Sequence, residues 1–160
     1  MASKKLAIVL PAYNEEEVIE KTTARLHDLL TEMIQANLVA PSSFIMYVDD
    51  GSKDKTWALI NELHEKYGNV QGLRFSTNFG HQNALIAGMT YLTDTDVDYV
   101  VTIDADLQDD PQAIVEMVEL ANSGKDIVYG VRNDRTTDTF FKRFTAQSFY
   151  KVMSALGANS

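Results

Sequence analysis

Tyr99-Val100-Val101-Thr102-Ile103-Asp104-Ala105-Asp106-Leu107-Gln108-Asp109-Asp110-Pro111 is the stretch on which the fold turns. Its first five residues are aromatic or mostly β-branched and read as a buried strand. The chain then becomes polar at once. Pro111 stands where proline is favoured, in the first turn of a helix that runs to about Asn122 and stops at Gly124. A strand that delivers carboxylates into a loop and then enters a helix is one βα unit, and the same unit recurs on both sides of it.

Toward the N-terminus, residues 6–10 form a short apolar run closed by Pro11. Residues 15–35 follow with Val18, Ile19, Leu26, Leu29, Leu30, Met33 and Ile34 at helical spacing, and with acids in the first turn, where the helix dipole favours them. Residues 44–48 are a second strand, followed by Asp49-Asp50-Gly51-Ser52 and a helix over about 54–67. Residues 70–75 give a third strand and 80–92 a third helix. Beyond the opening stretch, 127–131 read as a fifth strand and 140–156 as a last helix. Strands alternating with helices of 10–20 residues imply βαβ crossovers and a mostly parallel sheet covered on both faces, an α/β fold. Ligands of such sheets sit beyond the carboxyl ends of the strands. The clusters Tyr13-Asn14-Glu15, Asp49–Ser52 and Asp104–Gln108 are therefore expected to meet in one cleft.

Composition narrows the function. The 160 residues include 45% apolar and 23% charged residues, 14 Lys+Arg against 23 Asp+Glu, and no cysteine. This is ordinary globular composition with room for a real core. Thiol nucleophiles, disulfide scaffolds and Cys-rich zinc sites are excluded. The net charge of −9 is split: residues 132–160 carry five basic and two acidic groups, +3, which leaves −12 for residues 1–131. An acidic body argues against a general nucleic-acid binder. The five apolar residues at 6–10 fall short of a signal-peptide core of about 7–15, and no apolar run approaches the roughly 20 of a membrane span. The chain stops just after its last amphipathic segment, which suggests a longer protein cut short.

The chemistry concentrates in Asp104-x-Asp106-x-Gln108. If the chain stays extended there, alternate side chains share a face and present three oxygen-bearing groups together. Hard oxygen donors of this kind suit Mg²⁺ or Mn²⁺, which take one or two carboxylates and fill the other positions with water and phosphate. A bound cation would let an anionic nucleotide settle among acids. The bland alternative is a polar turn capping the Pro111 helix. One of Asp49 and Asp50 is a candidate for a nucleobase imide or ribose hydroxyls, whereas Ser52 and Asp54 read as capping residues. Tyr13 either stacks on a base or covers the sheet edge. The tract Asn78–Asn83 opens a helix whose free N–H groups suit an anion, and His81 lacks a sequence-visible partner for base catalysis. Arg132 and Arg135 follow the fifth strand and suit bidentate phosphate binding. Phe140, Phe141, Phe144, Phe149, Tyr150 and Met153, interleaved with Lys142, Arg143 and Lys151, read as a basic amphipathic helix for an anionic membrane surface or for packing. P-loop, dinucleotide and serine-hydrolase fingerprints are absent.

Taken in order, Val9-Leu-Pro-Ala-Tyr-Asn-Glu15, Val48-Asp-Asp-Gly-Ser52, Asn78-Phe-Gly-His-Gln-Asn-Ala84 and Asp104-Ala-Asp-Leu-Gln108 resemble the family 2 glycosyltransferases of the GT-A fold. Within that family the chain is similar to the polyprenyl-phosphate subgroup, the dolichyl-phosphate mannose synthase and bactoprenol glucosyltransferase type, through Asp104–Pro111, Arg132-x-x-Arg135 and the aromatic-basic tract from Phe141. The resemblance implies a Rossmann-like three-layer α/β/α core over 1–135 and an acceptor- or membrane-side segment over 136–160. It implies Asp106 and Gln108 as ligands of Mg²⁺ or Mn²⁺, with Asp104 on the ribose or sugar side. Pro11, Tyr13, Glu15 and one of Asp49 and Asp50 would line the nucleoside pocket, and Arg132, with Arg135, would hold the acceptor phosphate. The implied activity is inverting transfer of a hexose from a UDP- or GDP-sugar to a polyprenyl phosphate at the cytoplasmic face of the membrane, by a protein whose full-length form leaves room for a homo-oligomer. Members normally continue further, in many bacterial cases with two C-terminal membrane helices. Rival readings are a hydroxyl acceptor on a growing glycan, a phosphatase with Asp104 as nucleophile, and a nucleotide-sugar-binding module without activity of its own.

Overall fold

A computed structural model describes residues 3–108, 110–125, 128–132 and 141–145. The chain divides into two compact units, Met1–Gln108 and Asp109–Ser160.

The first unit is built on a four-stranded sheet. Its elements are β1 (Leu6–Ala12), α1 (Ile19–Gln35), β2 (Phe44–Asp49), α2 (Thr56–Tyr67), β3 (Val70–Arg74), α3 (His81–Thr93) and β4 (Tyr99–Thr102). The strand order is β3-β2-β1-β4 and every pair is parallel. β1 and β2 lie at the centre and every residue of both is buried. This explains why they read as continuous apolar runs and not as alternating ones. Pro11 lacks a backbone donor, yet β1 continues through it, in register with Val48, and Asp50 N–H donates to the Ala12 carbonyl at 2.9 Å.

Successive side chains leave a strand on opposite faces, and the two faces are filled differently. Ala7, Val9, Phe44, Met46 and Val48 pack with Ala84 and Leu92 of α3. Gly88 brings α3 close: a Cβ there would stand 3.0 Å from the Val48 side chain and 3.1 Å from that of Val9. On the other face Tyr47, fully buried, shares a 2.6 Å hydrogen bond with the Thr23 hydroxyl of α1, and burial pushes its phenol well above its ordinary pKa. Trp57 and Ile60 of α2 crowd Gly72 on β3. The layers are thus α1 and α2, the sheet, and α3. Chain travel reverses after β3, so the crevice at the carboxyl ends of β1 and β4 is the topological switch point.

The second unit contains α4 (Ala113–Asn122), β5 (Val128–Arg132) and β6 (Phe141–Thr145). β5 and β6 pair antiparallel, with Tyr129 opposite Phe144 and Arg132 opposite Phe141. This corrects one expectation. The helix expected over 140–156 is a strand where it is described, because the ladder to β5 supplies the backbone partners that a helix would have supplied internally. Aromatic and β-branched residues suit that ladder. Residues 146–160, which carry Phe149, Tyr150, Lys151 and Met153, lie outside the described residues. Among the described residues no helix is long and apolar enough to cross a membrane.

Candidate active site

Two loops at the carboxyl edge of the sheet are tied together before any ligand arrives. Asn14, at φ 52°, turns the chain out of β1. Its N–H donates to the Ser52 hydroxyl at 2.9 Å, and its side-chain oxygen accepts from Lys53 N–H at 2.9 Å. Glu15 N–H donates to the Thr56 hydroxyl at 2.8 Å, Glu16 N–H to Asp54 at 3.2 Å, and Lys55 N–H to the Glu16 carboxylate at 2.9 Å. Five bonds therefore clasp the β1–α1 loop to the β2–α2 loop. Ser52 and Asp54, expected as caps, spend their oxygens on this clasp, although Asp54 also accepts from Thr56 N–H and its hydroxyl. Slight burial raises the Asp54 pKa, but these hydrogen bonds outweigh it and hold the carboxyl below its ordinary value. The clasp delays α1, which starts at Ile19 after a turn in which the Glu15 carbonyl accepts from Val18 and Ile19.

Asp50 performs the same service for α3. Its two carboxylate oxygens accept from Phe79 N–H at 2.8 Å and Gly80 N–H at 3.0 Å, and the residue is only 3% exposed. Gly51 lets this loop touch its neighbour. It sits at φ 72°, and a Cβ would fall 2.4 Å from the backbone carbon of Thr77. Asp49 is fully buried and directed elsewhere: Oδ1 accepts from Ser52 N–H at 3.3 Å, and Oδ2 lies 3.6 Å from Arg74 Nε with no hydrogen-bond partner among the described residues. The two adjacent acids therefore differ. Asp50 lines the cleft and Asp49 faces Arg74.

The resulting cleft has a volume of about 350 Å³. β1 and the loop after it contribute Pro11, Tyr13 and Glu15, Asp50 follows β2, Asn78 and His81 flank the start of α3, and Asp104 and Asp106 follow β4. The expected convergence of three loop clusters on one cleft is what the sheet produces. A second cleft of about 610 Å³ adjoins it across Tyr13 and is walled by Gly51, Lys53, Arg74, Phe75 and Asn78. Arg74 had no sequence signal beyond its place at a strand end, and its guanidinium also lies 5.5 Å from the centre of the Trp57 ring.

The acidic loop is not extended. β4 ends at Thr102, Leu107 N–H closes a turn on the Asp104 carbonyl at 3.1 Å, and Leu107 adopts φ 50°. The expected shared face of residues 104, 106 and 108 rested on an extended chain, and the turn removes that basis. Asp104 and Asp106 still line the cleft, while Gln108 follows the turn and donates its N–H to Asp106 Oδ1 at 3.2 Å. His81 Nε2 stands 3.5 Å from Asp104 Oδ1, both side chains being more than half exposed, so a charged pair there contributes little. Glu15 registers the concentration of negative charge. Burial first, then Asp106, Asp54 and Asp104, raise its carboxyl above the ordinary value.

Thr22 was not singled out by sequence, yet its buried hydroxyl donates to the Ala105 carbonyl at 2.6 Å. The signal available was a pair of mid-helix threonines, where better helix formers are usual. Arg132 ends β5 in the second unit, and Arg135 lies outside the described residues.

The family model for glycosyl transferase family 2 matches residues 7–157. The chain belongs to this family. It is 47% identical over 152 residues to the uncharacterised glycosyltransferase YkoT of Bacillus subtilis strain 168, covering 95% of this chain and 45% of that protein. It is 38% identical over 151 residues to the bactoprenol glucosyl transferase of Shigella phage SfX, covering 92% of this chain and 46% of that protein. The chain thus spans less than half the length of these relatives. Among solved structures, the mannosyltransferase PcManGT of Pyrobaculum calidifontis, in complex with GDP-Man and Mn²⁺, matches with a TM-score of 0.64 at 19% identity, covering 94% of this chain and 39% of that one. That likeness concerns the fold, and the fold of this family 2 chain is GT-A.

Proposed function

We propose that this chain is the donor-binding part of an inverting, metal-dependent hexosyltransferase that transfers a sugar from a UDP- or GDP-sugar to a polyprenyl phosphate. The observation that carries the reading is the meeting of Asp104 and Asp106 with Glu15 and Asp50 in one cleft at the carboxyl edge of the sheet. Bactoprenol glucosyl transferases among the relatives favour the lipid phosphate as acceptor.

Pro11, Tyr13 and Glu15, at and just beyond the end of β1, form one wall of the nucleoside pocket, Asp50 sets the loop opposite, and Arg74, beside the buried Asp49, borders the adjoining cleft. The acidic cleft suits a hard divalent cation, Mg²⁺ or Mn²⁺. Among the described residues no group of three or more His, Cys, Asp or Glu is gathered tightly enough to hold one alone. A site of one or two protein oxygens completed by substrate phosphates and water fits both facts. Asp106 and Gln108 would hold the ion, which when bound supplies charge neutralisation for the departing diphosphate. Asp104 orients the ribose or sugar. The acceptor phosphate is already anionic at neutral pH, so the chain needs no general base, and His81 is not asked to be one. Arg132 and Arg135 take the acceptor phosphate. Residues 1–135 form the donor-binding core, which ends in these two arginines, and 136–160, basic and aromatic, serve the acceptor side at the cytoplasmic face of the membrane, in a full-length protein that leaves room for a homo-oligomer.

The test is sugar transfer to polyprenyl phosphate by the full-length protein. Activity should require Mg²⁺ or Mn²⁺ and fall about 100-fold or more in Asp106→Ala, as when a group that stabilises transition-state charge is removed. Undiminished transfer in EDTA, or by the variant, contradicts the proposal.

A further inference from the structure

α1 carries two adjacent threonines, Thr22 and Thr23, inside a 17-residue helix, and both are buried, at 3% and 0% exposure. β-Branched hydroxyl residues are indifferent helix formers, so their place against a sheet needs a reason. Thr23 has one in the core: its hydroxyl bonds the Ile19 carbonyl at 2.7 Å and the Tyr47 hydroxyl at 2.6 Å. Thr22 reaches out of its helix. Its hydroxyl donates to the carbonyl of Ala105, 83 residues away in sequence.

Ala105 stands between Asp104 and Asp106, and its own side chain is 2% exposed. Its carbonyl belongs to the central peptide of the turn that Leu107 N–H closes on Asp104. That central peptide is the one that rotates when a turn passes between types I and II, carrying the third residue from φ of about −90° to about +80°. The third residue is Asp106. It is not among the positive-φ residues, whereas Leu107 beside it is. A donor fixed on the Ala105 carbonyl therefore decides the direction in which the Asp106 carboxylate leaves the backbone.

We infer that Thr22 is a positioning residue of the cleft: its hydroxyl latches the Ala105–Asp106 peptide so that Asp106 faces the donor diphosphate. The consequence for ligand binding rests on the function proposed above, but the latch itself does not. A threonine that merely satisfied a buried carbonyl would be missed by the fold as a whole. A latch is missed by one turn.

The experiment compares Thr22→Val, which keeps the shape and loses the hydroxyl, with Thr22→Ser, which keeps the hydroxyl. Backbone amide hydrogen exchange is read across the metal-free chain, and UDP and GDP binding is followed by calorimetry with and without Mn²⁺. In Thr22→Val, exchange at Leu107 and Gln108, whose N–H groups bond Asp104 and Asp106, should quicken about fivefold, the factor one neutral hydrogen bond is worth, while β2 and the rest of α1 keep their protection. Mn²⁺-dependent nucleotide affinity should fall by a similar factor, and Thr22→Ser should match the parent in both readouts. Unchanged exchange at 105–108 in Thr22→Val overturns the latch. So does quickening spread evenly over α1 and the sheet, or a Thr22→Ser variant that behaves like Thr22→Val. Local quickening in Thr22→Val, with a parent chain that binds neither nucleotide, would leave the latch standing and refute the function instead.

Discussion

Glu15 and Gly51 are where single residues bear the most weight. Burial, and then Asp106, Asp54 and Asp104, disfavour the ionised Glu15 carboxylate in the folded chain. The sign follows from linkage: a carboxyl whose folded pKa is raised costs stability above that pKa, and the cost vanishes as pH falls and both states take up the proton. Glu15→Gln should therefore raise the melting temperature at pH 7, by the equivalent of about 0.5 kcal/mol after solvent screening, and the gain should fade in melts at pH 4. Gly51→Ala should do the opposite. Positive φ and a Cβ placed 2.4 Å from the Thr77 backbone cannot both be relieved, and urea unfolding should show a loss of about 2–4 kcal/mol. Of these two residues the sequence displayed identity and motif but not environment. Asp49 and Asp50 show the same gap, since adjacent acids point to opposite sides of a strand end and only coordinates say which reaches the cleft.

At the level of elements, the clasp between the β1–α1 and β2–α2 loops makes a pH prediction of its own. Asp54 has a depressed carboxyl, so its contribution is present above the ordinary carboxylate range and is lost as pH falls through the lower folded value. Asp54→Asn should lower the urea midpoint at pH 7, and parent and variant should converge in titrations carried to about pH 2–3. Four parallel strands and the helices between them were legible because buried βα units write themselves as apolar runs and helical periodicity. Two features were not. The residues of β6 carry aromatics at spacings a helix would also use, and the choice is made by β5, which lies remote in sequence. The acidic loop turns where extension was expected, because Leu107 accepts φ 50° and closes on Asp104, a conformation no pattern announces. Thr22 was invisible for a like reason: its partner is a backbone carbonyl 83 residues away.

For the molecule as a whole, the reversal of strand order after β3 gathers the ends of β1, β2 and β4, and the acidic excess of residues 1–131 acquires a focus there. The sheet that supports this is conventional. Leu10→Ala, at a fully buried central position, should cost about 2–5 kcal/mol in urea unfolding without altering the secondary structure seen by circular dichroism. The central claim is that the acids of the cleft receive a nucleotide sugar through a divalent cation. Calorimetric titration of the chain with UDP- and GDP-sugars, with Mn²⁺ and then with EDTA, tests it most directly. The account predicts binding of one nucleotide sugar that is lost in EDTA and in Asp106→Ala. Equal affinity with and without the metal, or no binding of either sugar class in its presence, would contradict it.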